Sequence, residues 1–169
     1  MRRGYFYLLI VAVVIGVSLY GFMGNEGQSK LRNMLPFHHA TFVSGATVQF
    51  GTTTVSVDVA STPAQMSLGL SGRSSLPADH GMLFMLGQDS ATAFWMKDMK
   101  FPLDLIWIHG GTVIDLDANV PVPTTTTLPL YTPISPVNYV VEVNAGFAEA
   151  HHINIGSQVV ITVDGIRKN

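Results

Sequence analysis

Beyond residue 40, hydrophobic and polar residues alternate along the chain with a period of two, which predicts β-strands rather than helices. The clearest segment is residues 53–59, where three valines fall on one face. Together with residues 46–50 it predicts a hairpin around the pair Gly51-Thr52. A Gly-Gly pair at residues 110–111 predicts a second hairpin turn. Further strands are predicted at residues 82–86, 92–97, 104–109, 112–117, 139–143 and 158–164. Strands of this length and spacing are typical of a small barrel or sandwich.

Three segments interrupt this alternation. Residues 62–65 (TPAQ) have the pattern of a capping box with Thr62 as the N-cap, so a helix of about two turns is predicted after them. Residues 144–150 predict a second short helix, with Asn144 as its cap. Residues 121–136 contain five prolines and no charge. Because proline lacks the N–H that a central strand needs, this stretch predicts a long loop, either functional or an inert connection.

The first residues of the chain predict a membrane segment. Arg2 and Arg3 precede the uncharged, mostly apolar residues 4–24, which as a helix would extend about 31 Å, the thickness of a bilayer's hydrocarbon core. A cleaved signal peptide is the alternative, although its apolar region is normally shorter. Both interpretations place the following domain outside the cytoplasm, because positive charge before the segment stays inside. Residues 25–39 predict a tether, and residues 40–169 predict the domain.

Composition narrows the class of protein. Hydrophobic residues make up 47% of the 169 residues and charged residues only 12%, a balance that favours a folded core over disorder. After residue 24 the chain has seven Lys/Arg and eleven Asp/Glu, and this negative net charge does not favour nucleic-acid binding. Cysteine is absent, which excludes disulfides, thiolate nucleophiles and cysteine-based zinc sites. The histidine pairs at 38–39 and 151–152 lack metal-ligand spacing and no cofactor motif occurs, so neither a metal nor a cofactor is expected.

Several short motifs follow one another along the predicted domain. They are GLSGR at residues 69–73, GMLF at 81–84, FWMKD at 94–98, PLD at 102–104 and YVVEVNAGFA at 139–148. In this order they resemble the domain-of-unknown-function family 192, also called the uncharacterised protein family 0127, over residues 45–163. The resemblance implies a mainly β (α+β), barrel-like domain with one or two short helices, often secreted or membrane-anchored in prokaryotes. It implies no established activity and no catalytic residues.

Two positions depart from the pattern that the resemblance implies. Asp98 stands where the family usually has asparagine, and the aspartate adds a charge to the most distinctive motif. The loop that begins at Pro121 lacks a cysteine that many members of the family carry there. This second departure removes any thiol-based role for the loop.

Charged residues within apolar strands are the candidate functional residues, because a buried carboxylate without a partner costs several kcal/mol. Asp104 opens an apolar run, and Glu142 lies within the sequence YVVEV. Both are expected to meet basic side chains or backbone donors. One interpretation is that these charged side chains form a polar network that fixes barrel closure. The other is that they converge as a ligand site at one mouth of the barrel, beside Trp95 and Trp107. The candidate ligand-binding residues of the second interpretation are Arg73, Trp95, Lys97, Asp98, Asp104, Glu142 and Asn144.

An aromatic platform with a few hydrogen-bonding charges is what a carbohydrate-like or other small polar ligand requires. We therefore expect a binding or accessory module rather than an enzyme. One alternative is a hydrolase or transferase acting on envelope carbohydrate, with Asp104 and Glu142 as an acid/base pair across a cleft. The other is a structural domain that docks onto an envelope protein through an exposed edge strand.

Overall fold

The computed structural model of the protein describes residues 42–90, 92–163 and 166–168. The predicted membrane segment, residues 4–24, and the predicted tether, residues 25–39, lie outside these ranges. Across the ranges that are described, no helix is both long and apolar enough to cross a membrane. The described residues cover nearly all of the predicted β domain.

The described residues form one eight-stranded sheet and two short helices. The elements are β1 (Val43–Phe50), β2 (Thr53–Ala60), α1 (Pro63–Leu68), β3 (His80–Ser90), β4 (Leu103–His109), β5 (Thr112–Val120), β6 (Val137–Asn144), α2 (Phe147–Ala150), β7 (Val159–Val163) and β8 (Ile166–Lys168). The strand order is β5-β4-β6-β3-β2-β1-β7-β8. Strands β2 and β3 run parallel, and the other neighbouring strands run antiparallel. The predicted mainly β class with short helices is confirmed.

The sheet curls towards a barrel. The Val113 N–H donates to the carbonyl oxygen of Ser157 at 2.9 Å, and the Val159 N–H donates to that of Gly111 at 2.8 Å. These bonds join the start of β5 to the segment around the start of β7, although the two strands are far apart in the sheet order. The sheet is therefore a half-barrel that is closed at this one point, in agreement with the predicted barrel-like domain.

The predicted hairpins, first helix and long loop are confirmed. Gly51 and Thr52 form the turn between β1 and β2, and the Gly-Gly turn joins β4 to β5. At the start of α1, the Thr62 hydroxyl accepts from the Gln65 N–H at 3.3 Å, and the Gln65 side-chain oxygen accepts from the Thr62 N–H at 3.0 Å. Residues 121–136 contain an isolated bridge but no strand.

The strand predicted at residues 92–97 is wrong. Within that segment, Phe94 alone pairs with a neighbouring chain segment, exchanging N–H···O bonds of 2.8 and 2.9 Å with Tyr131 in the long loop. The chain then turns at residues 97–98, and Asp98 has a left-handed φ of 57°. A left-handed residue reverses the direction of an extended backbone, so the alternation of side chains here does not reflect a strand.

The central strands are buried on both faces, so the sheet separates two apolar layers. On β3, Leu83 packs inside the half-barrel and Phe84 packs on the outer face. On β4, Ile106 packs inside and Trp107 packs outside. The inner layer draws on seven strands, from β1 to β7, whereas the outer layer is completed by the segments that connect strands. The candidate site lies in this outer layer.

Candidate functional site

A cavity of about 220 Å³ lies on the outer face of the sheet, between α1, the turn that follows it and the connection from β3 to β4. Its polar side chains are the hydroxyls of Ser67, Ser71 and Thr92 and the carboxyl group of Glu142. Most of the other lining is apolar. The main apolar contributors are Met66, Leu70, Phe84, Phe94, Trp95 and Met99.

Two of the sequence motifs meet to form one wall of the cavity. The GLSGR turn follows α1, where Gly69 takes a φ of 50° that a side chain would strain. The Ser71 hydroxyl donates to the Lys97 carbonyl oxygen at 2.8 Å, and the Gly72 N–H donates to the Asp98 carbonyl oxygen at 3.0 Å. The backbone of the FWMKD motif is thereby held against the turn, and its aromatic residues line the cavity.

An aromatic cluster connects the cavity to the core. The Phe94 ring packs edge-to-face against Phe84, with centroids 4.8 Å apart, and against Trp107 at 5.3 Å. Trp107 is fully buried, and its indole N–H donates to Asp117 at 2.8 Å. Trp95 is 49% exposed and lines the cavity. Of the two tryptophans predicted to form a platform, Trp95 alone is available to a ligand.

Glu142 enters the cavity from the sheet. It is only 5% exposed, and its cross-strand neighbours are Met82 on β3 and Leu105 on β4, both apolar. Burial raises the pKa of the Glu142 carboxyl to about 8, and the positive charge of Arg73 opposes part of that rise. Within the described residues, no hydrogen bond or ion pair reaches this carboxyl group. At neutral pH it is therefore predominantly protonated.

Gly81, in the GMLF motif, determines how closely β6 approaches β3 at this point. A Cβ atom at Gly81 would lie 2.6 Å from the Glu142 carbonyl oxygen and 3.1 Å from the Val143 side chain. No side chain fits there without displacing the β6 backbone. The glycine thus lets β6 bring Glu142 to the edge of the cavity.

Arg73 lies near Glu142 but is engaged elsewhere. One of its guanidinium nitrogens donates to Asp58 on β2 at 2.8 Å, and the guanidinium lies 5.5 Å from the centroid of the Phe42 ring. Its influence on Glu142 is therefore electrostatic and not through a direct bond. Arg73 braces the turn beside the cavity.

Asp104 lies on the opposite face of the sheet from Glu142. Leu105, not Asp104, pairs with Glu142 in the antiparallel register of β4 and β6, and consecutive side chains point to opposite faces. The Asp104 carboxylate accepts backbone N–H bonds from Asn119 at 2.8 Å, Gly146 at 3.1 Å and Ala148 at 2.9 Å. The predicted meeting of a buried carboxylate with backbone donors is confirmed for Asp104, but the predicted grouping of Asp104 with Glu142 is wrong.

The same hydrogen bonds correct the prediction that Asn144 caps α2. Asn144 is the last residue of β6, and the N-cap position of α2 is Gly146. Glycine has no side chain to accept the first N–H groups of the helix, and the Asp104 carboxylate accepts two of them instead. The Asn144 amide donates to the carbonyl oxygens of Leu76 at 3.0 Å and Pro77 at 3.1 Å, and so holds the loop before β3.

The remaining predicted residues contribute backbone rather than side chains. Lys97 and Asp98 have exposed side chains, and their carbonyl oxygens accept the bonds from the GLSGR turn. Of the seven candidate residues, Trp95 and Glu142 line the cavity and Arg73 lies beside it. Across the described ranges, no three His, Asp or Glu side chains come together as a metal site.

Sequence patterns missed several residues that line the cavity, notably Met66, Leu70 and Met99. Two sequence signals point to four of the lining residues, although not to Met99. Met66 and Leu70 are four residues apart, so they share one face of a helix and its first following turn. Phe84 and Leu86 continue the alternation of β3 on the face opposite Leu83, which indicates a strand covered on both sides.

Comparison with known proteins identifies the fold. The model of the DUF192 family, described as "Uncharacterized ACR", matches residues 46–161 and confirms the predicted resemblance. A solved structure from Sinorhizobium meliloti 1021, described as a candidate transcription regulator, is similar at a TM-score of 0.63 and 28% identity, covering 75% of this chain and 100% of that one. A protein of unknown function from Novosphingobium aromaticivorans DSM 12444 is similar at a TM-score of 0.60 and 27% identity, covering 74% and 96%. No curated protein gives a significant match.

Proposed function

The chain belongs to the DUF192 family, and from the cavity in its domain we propose that it is a binding module for a small molecule with an apolar body and one polar group. The observation that carries this proposal is Glu142, a residue that is only 5% exposed, lines a cavity and has no side-chain hydrogen-bond partner within the described residues. A buried polar group of this kind is costly unless a partner satisfies it. A ligand in the cavity would supply that partner.

The size of the cavity limits the ligand. A cavity of about 150 Å³ is enough to hold a benzene molecule, so about 220 Å³ accommodates a slightly larger one. Drug-sized ligands usually occupy about 300 Å³ or more. The lining has a single carboxyl group and three hydroxyl side chains, so a mainly apolar molecule is matched better than a fully hydroxylated sugar. Trp95 adds an aromatic face that either type of ligand can contact.

The carbohydrate hydrolase or transferase is not the function that this geometry supports. Such an enzyme needs two carboxyl groups facing each other across one cleft. Asp104 and Glu142 are on opposite faces of the sheet, and backbone donors occupy Asp104. Nor do we extend transcription regulation to this chain, because seven Lys/Arg against eleven Asp/Glu after residue 24 provide little positive charge for a phosphate backbone.

A screen for ligand-induced stabilisation tests the binding function. The full-length chain, in a non-ionic detergent, is heated with each member of a set of small fragments, and binding raises the Tm because a ligand stabilises the folded state alone. We expect the rise to be reduced in Trp95→Ala and in Glu142→Gln. Ile134→Ala is the matched control for Trp95, since Ile134 is 77% exposed and is not part of the cavity lining. The proposal is contradicted if no fragment in the set shifts the Tm, or if wild type and all three variants respond alike.

For the location, we propose that residues 4–24 anchor the chain in the membrane with the domain outside the cytoplasm. The support is the length and apolar character of this segment and the arginines before it. Fractionation tests the location: the chain is expected in membranes after washing with carbonate, with its domain accessible to protease from the outer side. Recovery of the intact chain from the soluble cytosolic fraction contradicts it.

A further inference from the structure

The charges around the cavity are unbalanced. Among the lining side chains of the described residues, Glu142 is acidic and none is basic. The other polar side chains, from Ser67, Ser71 and Thr92, are neutral hydroxyls. A carboxylate formed here would lack an opposite charge in contact with it.

The groups that face Glu142 from each neighbouring element confirm this imbalance. β3 and β4 present Met82 and Leu105, which cannot pair with a charge. The turn after α1 presents Arg73, whose guanidinium is already bonded to Asp58 at 2.8 Å. The connection from β3 to β4 carries charged side chains too, at residues 97–98 and 100, but these are exposed to solvent. Within the described residues no cationic side chain forms an ion pair with Glu142, and Arg73 acts on it only through its charge.

Aromatic side chains make up much of the remaining lining. Phe84, Phe94 and Trp95 all line the cavity, and Phe84 packs edge-to-face on Phe94. Aromatic faces attract organic cations through their negative π surface, and a buried carboxylate is stabilised by a cation in contact with it. In a cavity that has both, the carboxylate can pair with the charge of an organic ammonium ion, and the aromatic faces can contact its alkyl groups.

Resting on the proposed binding function, we infer that the ligand is an organic ammonium ion, held by the Glu142 carboxylate and contacted by the aromatic walls. A neutral ligand would leave the carboxyl group protonated, whereas a cation takes the place of its proton, which passes to the solvent. The aromatic walls and the absence of a basic lining residue favour the cation.

Binding by this exchange depends on pH. In the empty cavity the carboxyl group keeps its proton up to about pH 8, so a cation competes with the proton below that value. The affinity for a permanently charged ammonium ion should therefore rise with pH and level off above it. Between about pH 6 and about pH 9 the expected increase is on the order of a hundredfold, or tenfold per pH unit below the pKa.

A pair of isosteric probes tests the charge directly. Choline keeps its charge at every pH, and 3,3-dimethylbutan-1-ol has the same shape without the charge. Each is titrated into the full-length chain in a non-ionic detergent by isothermal calorimetry at about pH 6 and about pH 9. We expect choline to bind more tightly than the alcohol, with an affinity that increases with pH. Glu142→Gln should remove both the preference and the pH dependence, and Glu149→Gln, an exposed glutamate outside the cavity, should retain both.

The outcomes separate this inference from the binding function. If the alcohol binds as tightly as choline, or if fragments from the stabilisation screen bind while choline does not, the cavity is a binding site and the ammonium inference is overturned. Choline binding that is equal in wild type and Glu142→Gln also overturns it. If neither probe nor any fragment binds, both proposals fail.

Discussion

Asp104 and Glu142 are the two buried acidic residues of the described domain. They lie on opposite faces of the sheet, and their hydrogen bonding differs. Inside the half-barrel, the Asp104 carboxylate accepts three backbone N–H groups, two of them from the start of α2. On the outer face, Glu142 borders a cavity and has no hydrogen-bond partner within the described residues. Both acids follow apolar residues in the sequence, and burial alone does not distinguish them.

The difference shows which of the two carboxylates is structural. A carboxylate whose oxygens are all occupied by fixed donors stabilises the fold and has no capacity left for a ligand. A carboxyl group that is buried without a partner destabilises the empty protein and gains from a ligand. Changes at Asp104 should therefore act on stability, and changes at Glu142 on ligand binding and on the response to pH.

The largest effect is expected for Asp104→Ala. The substitution leaves three N–H groups without an acceptor, at about 1–3 kcal/mol each, so the free energy of unfolding should fall by about 3–9 kcal/mol. Urea denaturation of the full-length chain measures the loss. Asp104→Asn keeps one acceptor oxygen and should lose clearly less. A loss below about 1 kcal/mol for Asp104→Ala would show that water or rearrangement satisfies these donors.

The next effect is expected for Glu142→Gln, and it depends on pH. The carboxyl pKa is about 8 in the folded protein against an ordinary value of 4.5. Between these values the unfolded chain has released a proton that the folded chain still holds, so wild-type stability falls as pH rises from 4.5 to about 8. Glutamine does not titrate. The variant should be more stable than wild type at about pH 9, by on the order of 5 kcal/mol, and similar to it at about pH 4.

Urea denaturation across this pH range measures both profiles, with Glu149→Gln as the control. Glu149 is exposed, so that variant should follow the wild-type profile. Parallel profiles for wild type and Glu142→Gln would mean that Glu142 is hydrated in the folded protein, and the contrast with Asp104 would be lost.

The smallest effect is expected for Asp98→Ala, which tests whether the outer face depends on the conformation of its loops. At a φ of 57°, alanine is strained by about 1–2 kcal/mol, whereas asparagine and glycine adopt this conformation readily. Asp98→Ala should therefore lower the free energy of unfolding by about 1 kcal/mol. Asp98→Asn and Asp98→Gly are the controls and should change it less. Equal losses in all three would point to the carboxylate rather than the backbone.

The same conformation bears on the resemblance, which implies asparagine at position 98. Asparagine and aspartate both tolerate the left-handed conformation, because their short polar side chains can hydrogen-bond locally. The side chain of Asp98 is exposed, and its carbonyl oxygen accepts the bond from Gly72. An aspartate at position 98 therefore preserves the backbone conformation that the fold requires there.

Local patterns determined the elements that depend on local interactions. The alternation of Val55, Val57 and Val59 determined β2, and the capping box at Thr62 started α1. The pairs Gly51-Thr52 and Gly110-Gly111 placed the hairpin turns. The order of the motifs identified the family and, through it, the barrel-like domain. Each of these follows from interactions between residues close in the chain, or from a motif recognised as a unit.

The tertiary structure alone decided the roles of the two acids and the position of the cavity. Asp104 and Glu142 are nearly 40 residues apart, and whether they share a face depends on the pairing of β4 with β6, where a shift of one residue would reverse the answer. The cavity likewise forms where the turn after α1 meets the FWMKD segment, through bonds between residues 26 positions apart. Such long-range contacts leave no period in the sequence, because the energy that selects them comes from packing and desolvation in the folded chain.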